Sequence, residues 1–138
     1  MDADTGQVLF DKNMELKTYP ASATKIMTCL LVSELCAPDE ILTVSKRAVD
    51  IAEVNSANIG LVPGDKLTVE DALYGLILAS ANEAANALAE NAPRSIERFV
   101  EIMNQKAWEI CRRNTRFPNP HRRASVGHST RQQPLSLL

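Results

Sequence analysis

One stretch dictates what the rest of this chain must do. Between Ser22 and Cys36 the apolar positions Ile26, Met27, Cys29, Leu30, Leu31 and Val32 surround most of a helical axis. The pattern predicts a helix buried on nearly all sides, ended before Pro38. Such a helix needs partners around it. At 138 residues the chain is long enough to supply them within one domain and to bury a real core. Aromatics are few and aliphatics plus alanine many, which favours helices packed through small and medium side chains.

The partners can be read from local signals. Thr5-Gly6 is a turn signal, and Gln7–Phe10 is short and apolar enough for a strand. Ser45 is placed to cap a short helix running to Glu53, and residues 55–64 read as a loop centred on Pro63-Gly64. Thr68 opens the next helix with Asp71 three residues on, close to a capping box. Leu73, Leu76 and Ile77 carry its helical spacing to about Leu78. Ser80-Ala-Asn82 interrupts that pattern, and an alanine-rich helix from about Glu83 to Asn91 follows. Pro93 ends it. Ser95 caps the last helix, whose stripe is Ile96, Phe99, Val100, Met103, Ala107, Ile110 and Cys111. From Arg116 the periodicity stops, and the remainder reads as irregular. No returning strand is predicted. A lone strand satisfies neither its backbone nor its faces, so the pattern reads as an incomplete domain.

Charge and cysteine usage exclude several classes. Residues 1–109 hold all 17 acids, whereas residues 110–138 hold none and six arginines. Only Phe117 stands among those arginines as an aromatic platform, so nucleic-acid binding is not expected. Cys29, Cys36 and Cys111 have no metal spacing and imply no disulfide framework. Cys29 and Cys36, seven apart, are expected on one helix face as small buried hydrophobes. His121 and His128 stand in irregular sequence and are expected to be solvated rather than metal-bound. The chain as written shows no signal peptide and no transmembrane run.

Two groups of residues can carry chemistry. Ser22 and Lys25 are three apart at a first helical turn, so their side chains share a face. A serine hydroxyl is a poor nucleophile without a base. A lysine is ordinarily charged, with a pKa of about 10.4. Burial and the positive end of a helix dipole both ease its loss of a proton. A lysine held in that way takes the serine proton. The alternative is a capping serine beside a surface lysine. The second group is Ser80-Ala-Asn82, where a hydroxyl can relay a proton and an amide can hold a carbonyl and the lysine. Its alternative is a polar turn with Ser80 as helix cap.

Together the groups are more specific. Ser-x-x-Lys followed by Ser-x-Asn gives two of the three signatures of the penicillin-binding and class A β-lactamase fold. The stretches Asp2-Ala-Asp-Thr-Gly-Gln-Val-Leu-Phe10 and Tyr19-Pro-Ala-Ser-Ala-Thr-Lys-Ile-Met-Thr28 resemble the low-molecular-mass D-alanyl-D-alanine carboxypeptidases, which are penicillin-binding serine peptidases. So do Gly60-Leu-Val-Pro-Gly-Asp65, Leu67-Thr-Val-Glu-Asp-Ala-Leu-Tyr-Gly-Leu76, Ala79-Ser-Ala-Asn-Glu-Ala-Ala85 and Met103-Asn-Gln-Lys-Ala107. The resemblance runs over residues 1–121 and is to the N-terminal part of that family.

The resemblance implies an α/β (α+β) chain with the serine β-lactamase and penicillin-binding transpeptidase-like fold. The helical lobe and a fragment of the antiparallel sheet fall within this chain. It implies a catalytic Ser22, acylated by a peptidoglycan stem peptide ending in D-Ala-D-Ala, with Lys25 as base. Ser80 completes the catalytic proton network, and Asn82 binds substrate. No metal or cofactor is needed. β-Lactam antibiotics are the other expected partners. The family acts outside the cytoplasmic membrane, often with a membrane-associating helix. The family's third signature, Lys-Thr-Gly, does not occur after Asn82. The likeness dissolves at Arg122-Arg123, and residues 122–138 form a basic tail consistent with a shifted reading frame. The expected organisation is therefore an incomplete catalytic domain over 1–121, followed by that tail. An inactive fragment, a non-catalytic module for cell-wall peptides and a β-lactamase-like hydrolase are the alternatives.

Overall fold

The computed structural model describes residues 2, 4–12, 17–18, 21–52, 56–111, 115–121 and 130–131. Among them the order is β1 (Lys17–Thr18), a 3-10 turn (Ala21–Ala23), α1 (Thr24–Leu35), β2 (Ile41–Thr43), α2 (Lys46–Asp50), β3 (Lys66–Thr68), α3 (Val69–Leu78), α4 (Asn82–Asn91), α5 (Ile96–Cys111) and β4 (Thr130–Arg131).

The caps sit where local chemistry puts them. Ser45 Oγ accepts from Ala48 N at 2.9 Å and starts α2. Thr68 Oγ1 accepts from Asp71 N at 3.0 Å and donates to Asp71 Oδ2 at 2.6 Å, which starts α3. Each satisfies an amide that the first turn leaves without a helical partner. Ser95 Oγ receives Arg98 N at the start of α5. The β2–β3 ladder is antiparallel, with Leu42 opposite Leu67. Beyond it, Val69 N donates to Glu40 O and Glu70 N to Pro38 O, so the ladder carries the chain directly into α3.

The core is organised around α4. Every residue from Asn82 to Ala89 is buried. Alanines at 84, 85, 87 and 89 let α1, α2, α3, α5 and β2 all pack against it. Met27, Leu31, Val32, Leu76, Leu88, Phe99 and Met103 fill the spaces between. Burying each such side chain stabilises the fold by about 1.5–3 kcal/mol relative to leaving it in water.

Several expectations are corrected. The strand expected at Gln7–Phe10 is not formed. Those residues are exposed and follow a turn in which Asp2 Oδ1 accepts from the Thr5 amide and hydroxyl. The strand lies instead at Lys17–Thr18, and the chain does return to it. Thr130–Arg131, within the stretch read as irregular, pairs with it antiparallel. Strands β2 and β3 carry too few residues for an alternation to show. Helix α1 is not buried all round: α3, α4 and α5 pack against it, yet Ile26 and Leu35 are exposed. Cys36 is an extended cap beyond α1, not a residue on its face, and both Cys29 and Cys36 are half-buried free thiols. Glu53, His128 and the side chain of Cys111 lie outside the described residues. No helix among the described residues is long and apolar enough to cross a membrane.

Candidate active site

Ser22 is the middle residue of the 3-10 turn that leads into α1. The residue before it, Ala21, has φ 49°, in the left-handed region that L residues seldom adopt. Lys25 lies in the first turn of α1 and is only 2% exposed. It is no surface lysine. Ser80 and Asn82 come from the junction of α3 and α4, far off in sequence. Ser80 also has a left-handed backbone, with φ 56°. That conformation closes the C-terminus of α3, a place usually given to glycine.

The four side chains meet. Lys25 Nζ donates to Asn82 Oδ1 at 2.6 Å and to Ser80 Oγ at 3.0 Å. It also donates to the main-chain oxygen of Ser80. Ser80 Oγ in turn lies 3.2 Å from Ser22 Oγ and donates to it. The result is a hydrogen-bonded path from Ser22 through Ser80 to Lys25 and Asn82. Hydroxyl rotors reverse easily, so with Lys25 as a neutral amine the same contacts can carry a proton from Ser22 toward it. The alternative role for Ser80 as a cap is excluded. The cap of α4 is Ala81, with no side-chain hydrogen bond, and the Ser80 hydroxyl turns to the lysine instead.

A second polar layer lies below this path. Asn86, fully buried on α4, donates through Nδ2 to Ala48 O at 2.9 Å. Its Oδ1 lies 2.8 Å from His121 Nδ1. The amide oxygen can only accept, so His121 carries its proton on Nδ1 in this contact. Thr28 Oγ1, one turn beyond Lys25, donates to Pro120 O at 2.7 Å. His121 is 4% exposed, which corrects the expectation of a solvated histidine. The α4 asparagine that receives it is what draws it inside. Glu83 is also buried, and Oε1 accepts from Ile59 N at 2.6 Å. Sequence reasoning passed over Asn86 and Glu83. The available signal was polar side chains in an otherwise alanine-rich helix. Among the described residues no cluster of three or more His, Cys, Asp or Glu could hold a metal.

A family model described as D-alanyl-D-alanine carboxypeptidase matches residues 1–131. The chain belongs to the D-alanyl-D-alanine carboxypeptidase family. It is 37% identical over 140 residues to D-alanyl-D-alanine carboxypeptidase DacF of Bacillus subtilis, covering 100% of this chain and 36% of that protein. It is 34% identical over 146 residues to D-alanyl-D-alanine carboxypeptidase DacD of Escherichia coli, covering 100% of this chain and 38% of that one. The chain thus spans little more than a third of the length of these curated relatives. Penicillin binding protein 6B from Escherichia coli superposes with a TM-score of 0.91 at 34% identity, over 99% of this chain and 46% of that one. The Streptomyces K15 DD-transpeptidase superposes at 0.86 with 29% identity, over 99% of this chain and 55% of that one. The fold is therefore that of the penicillin-binding carboxypeptidases, as the resemblance implied. The matched region of the family model reaches ten residues past His121.

Proposed function

We propose that this chain carries the acylation machinery of a serine-type D-Ala-D-Ala carboxypeptidase acting on peptidoglycan stem peptides. The observation that supports this most is the path Ser22–Ser80–Lys25–Asn82. Ser22 Oγ attacks the carbonyl carbon between the two terminal D-alanines. As the C–O bond forms, the Ser22 proton passes to Lys25 in its neutral form, directly or across Ser80. The C–N bond breaks, and the leaving D-alanine amine takes a proton back from the same pair. Water then attacks the acyl-Ser22 ester. Its proton goes to Lys25, and the released serine oxygen is reprotonated along the path.

Asn82 has two roles in this reading. Its Oδ1 holds Lys25. That leaves the Nδ2 donor for the substrate carbonyl, since an amide side chain offers both functions. A β-lactam presents the same kind of carbonyl and gives a persistent acyl-Ser22. The place of action we infer is the cell envelope, outside the cytoplasmic membrane, where such stem peptides lie.

The test is incubation of the purified chain with a fluorescent penicillin. The adduct is mapped by mass spectrometry, with Ser22→Ala and Lys25→Ala as controls. We expect one adduct on Ser22, absent in Ser22→Ala and slowed roughly 10²–10⁴-fold in Lys25→Ala. A folded wild-type chain that takes no label would make it a non-catalytic fragment instead.

A further inference from the structure

We propose that Glu83 is a positioning residue for this site, holding Asn82 in place by clamping the Ser56–Ile59 loop onto the start of α4. The catalytic consequence rests on the carboxypeptidase reading; the clamp itself does not.

Glu83 follows Asn82 in sequence but works in another direction. Its Oε1 accepts from Ile59 N at 2.6 Å. Two residues earlier in the same loop, Ala57 O accepts from the backbone amide of Asn82 at 2.9 Å. Loop and helix are therefore joined twice, and one of the joins is Asn82 itself. The loop is also wedged against α3. A β-carbon added at Gly75 would stand 2.6 Å from Ile59 Cδ1. With Ile59 pinned at its amide and its side chain, Ala57 O has a fixed place from which to receive Asn82 N. Asn82 Oδ1 then meets Lys25 Nζ, and Lys25 meets Ser80.

The bland role for Glu83 is a first-turn acid serving the helix dipole. Such an acid needs no hydrogen bond to a backbone amide of another segment. Glu83 is 2% exposed. Its Oε2 is buried with no hydrogen-bond partner among the described residues, and so is Ser56 Oγ in the same loop. A buried carboxyl satisfied on one oxygen only costs stability. Alanine would remove that cost but would also leave the Ile59 amide without its acceptor, so the contact with Ile59 is what the carboxyl supplies here.

The test compares Glu83→Ala and Glu83→Gln with the wild-type chain by two readouts. The first is amide hydrogen exchange resolved to single residues. The second is the rate of acylation by fluorescent penicillin, separated into the binding constant and the first-order step. Loss of this part-buried hydrogen bond predicts exchange at the Ile59 and Asn82 amides about tenfold faster in Glu83→Ala. Exchange at Phe99 and Met103, in the core of α5, should not change. The first-order acylation step should slow, with penicillin affinity little altered. Glu83→Gln keeps an acceptor for Ile59 N and should recover most of both. Unchanged exchange at Asn82 in Glu83→Ala overturns the clamp. So does faster exchange shared equally by Phe99, or a Glu83→Gln variant no better than Glu83→Ala. A wild-type chain that takes no penicillin overturns the carboxypeptidase reading, and the exchange rates alone then decide the clamp.

Discussion

Replacing Ser80 separates the backbone of the site from its chemistry. Ser80 sits at φ 56°, where an L residue costs roughly 1–2 kcal/mol. Alanine at this position keeps that cost and removes only the hydroxyl. Glycine removes the hydroxyl and relieves the backbone. Glycine also gives the unfolded chain more freedom, which takes back about 0.4–1 kcal/mol. Ser80→Gly should therefore be more stable than Ser80→Ala by about 1 kcal/mol, or ~4 °C in Tm for a domain of this size. Both variants lose the contacts of the hydroxyl with Lys25 at 3.0 Å and with Ser22 at 3.2 Å. Both keep the main-chain oxygen that Lys25 also reaches. Acylation should thus fall in both, by roughly 10²–10⁴-fold if the relay runs through this hydroxyl. Thermal melts followed by circular dichroism give the first comparison. Rapid mixing with fluorescent penicillin gives the second. A Ser80→Ala variant at least as stable as Ser80→Gly refutes the backbone argument. A Ser80→Ala variant that acylates at the wild-type rate refutes the relay.

Two further outcomes follow from charge and burial. The Arg47 guanidinium, helped by the Ser95 hydroxyl, bonds the Glu97 carboxyl and holds it at about 2, below its ordinary 4.5. Because the folded value is the lower one, the contribution is present above pH 4.5 and lost as pH falls toward 2. Glu97→Gln should flatten the fall of the urea-unfolding midpoint across that window, and an unchanged slope would sink the assignment. The effect is small, since the pair is exposed and screened by salt. Burial, and secondarily the Glu40 charge, push the Cys36 thiol above its ordinary 9.0. Peptide-resolved labelling at pH 8 should therefore be slower at Cys36 in the native chain than in urea. Equal rates would contradict it.

What could be read from the sequence was what short-range chemistry decides. Ser45 and Thr68 cap helices because their hydroxyls meet amides three residues on. The α5 stripe predicted Phe99, Met103 and Ala107 inward, and all three are buried. The meeting of Ser22 and Lys25 with Ser80 and Asn82 was legible only through the order of two motifs. Nothing local says that residues 58 positions apart share a hydrogen bond. Strands β1 and β4 were missed for the same reason, since each is two residues long and exists only through its distant partner. Gln7–Phe10 misled because apolar composition resembles a strand whether or not a partner arrives. His121 was misplaced because its burial depends on Asn86, and sequence spacing does not reveal that contact.

The alanine-rich character of α4 explains why the site is built here. A helix of small side chains is approached closely from every side, so it has little room for large apolar groups of its own. Its few polar side chains are then brought against the backbones and side chains of its neighbours. Asn82 reaches Lys25 of α1, Glu83 reaches the Ile59 amide, and Asn86 reaches both the α2 carbonyl of Ala48 and the ring of His121. The bonds of Asn82 and Asn86 are buried, where hydrogen bonds are stronger and misplacement costs more. Asn82 therefore inherits its position from a packed core rather than from a loop. In the proposed reaction, a lysine held by such a residue, one helical turn from Ser22, meets the demand that catalytic groups rest on rigid elements. Two of the left-handed non-glycine residues, Ala21 and Ser80, stand where that core hands over to the serines. Strain of this kind persists only when the surroundings over-determine it, and at Ser80 the packing of α3 against α4 supplies such surroundings.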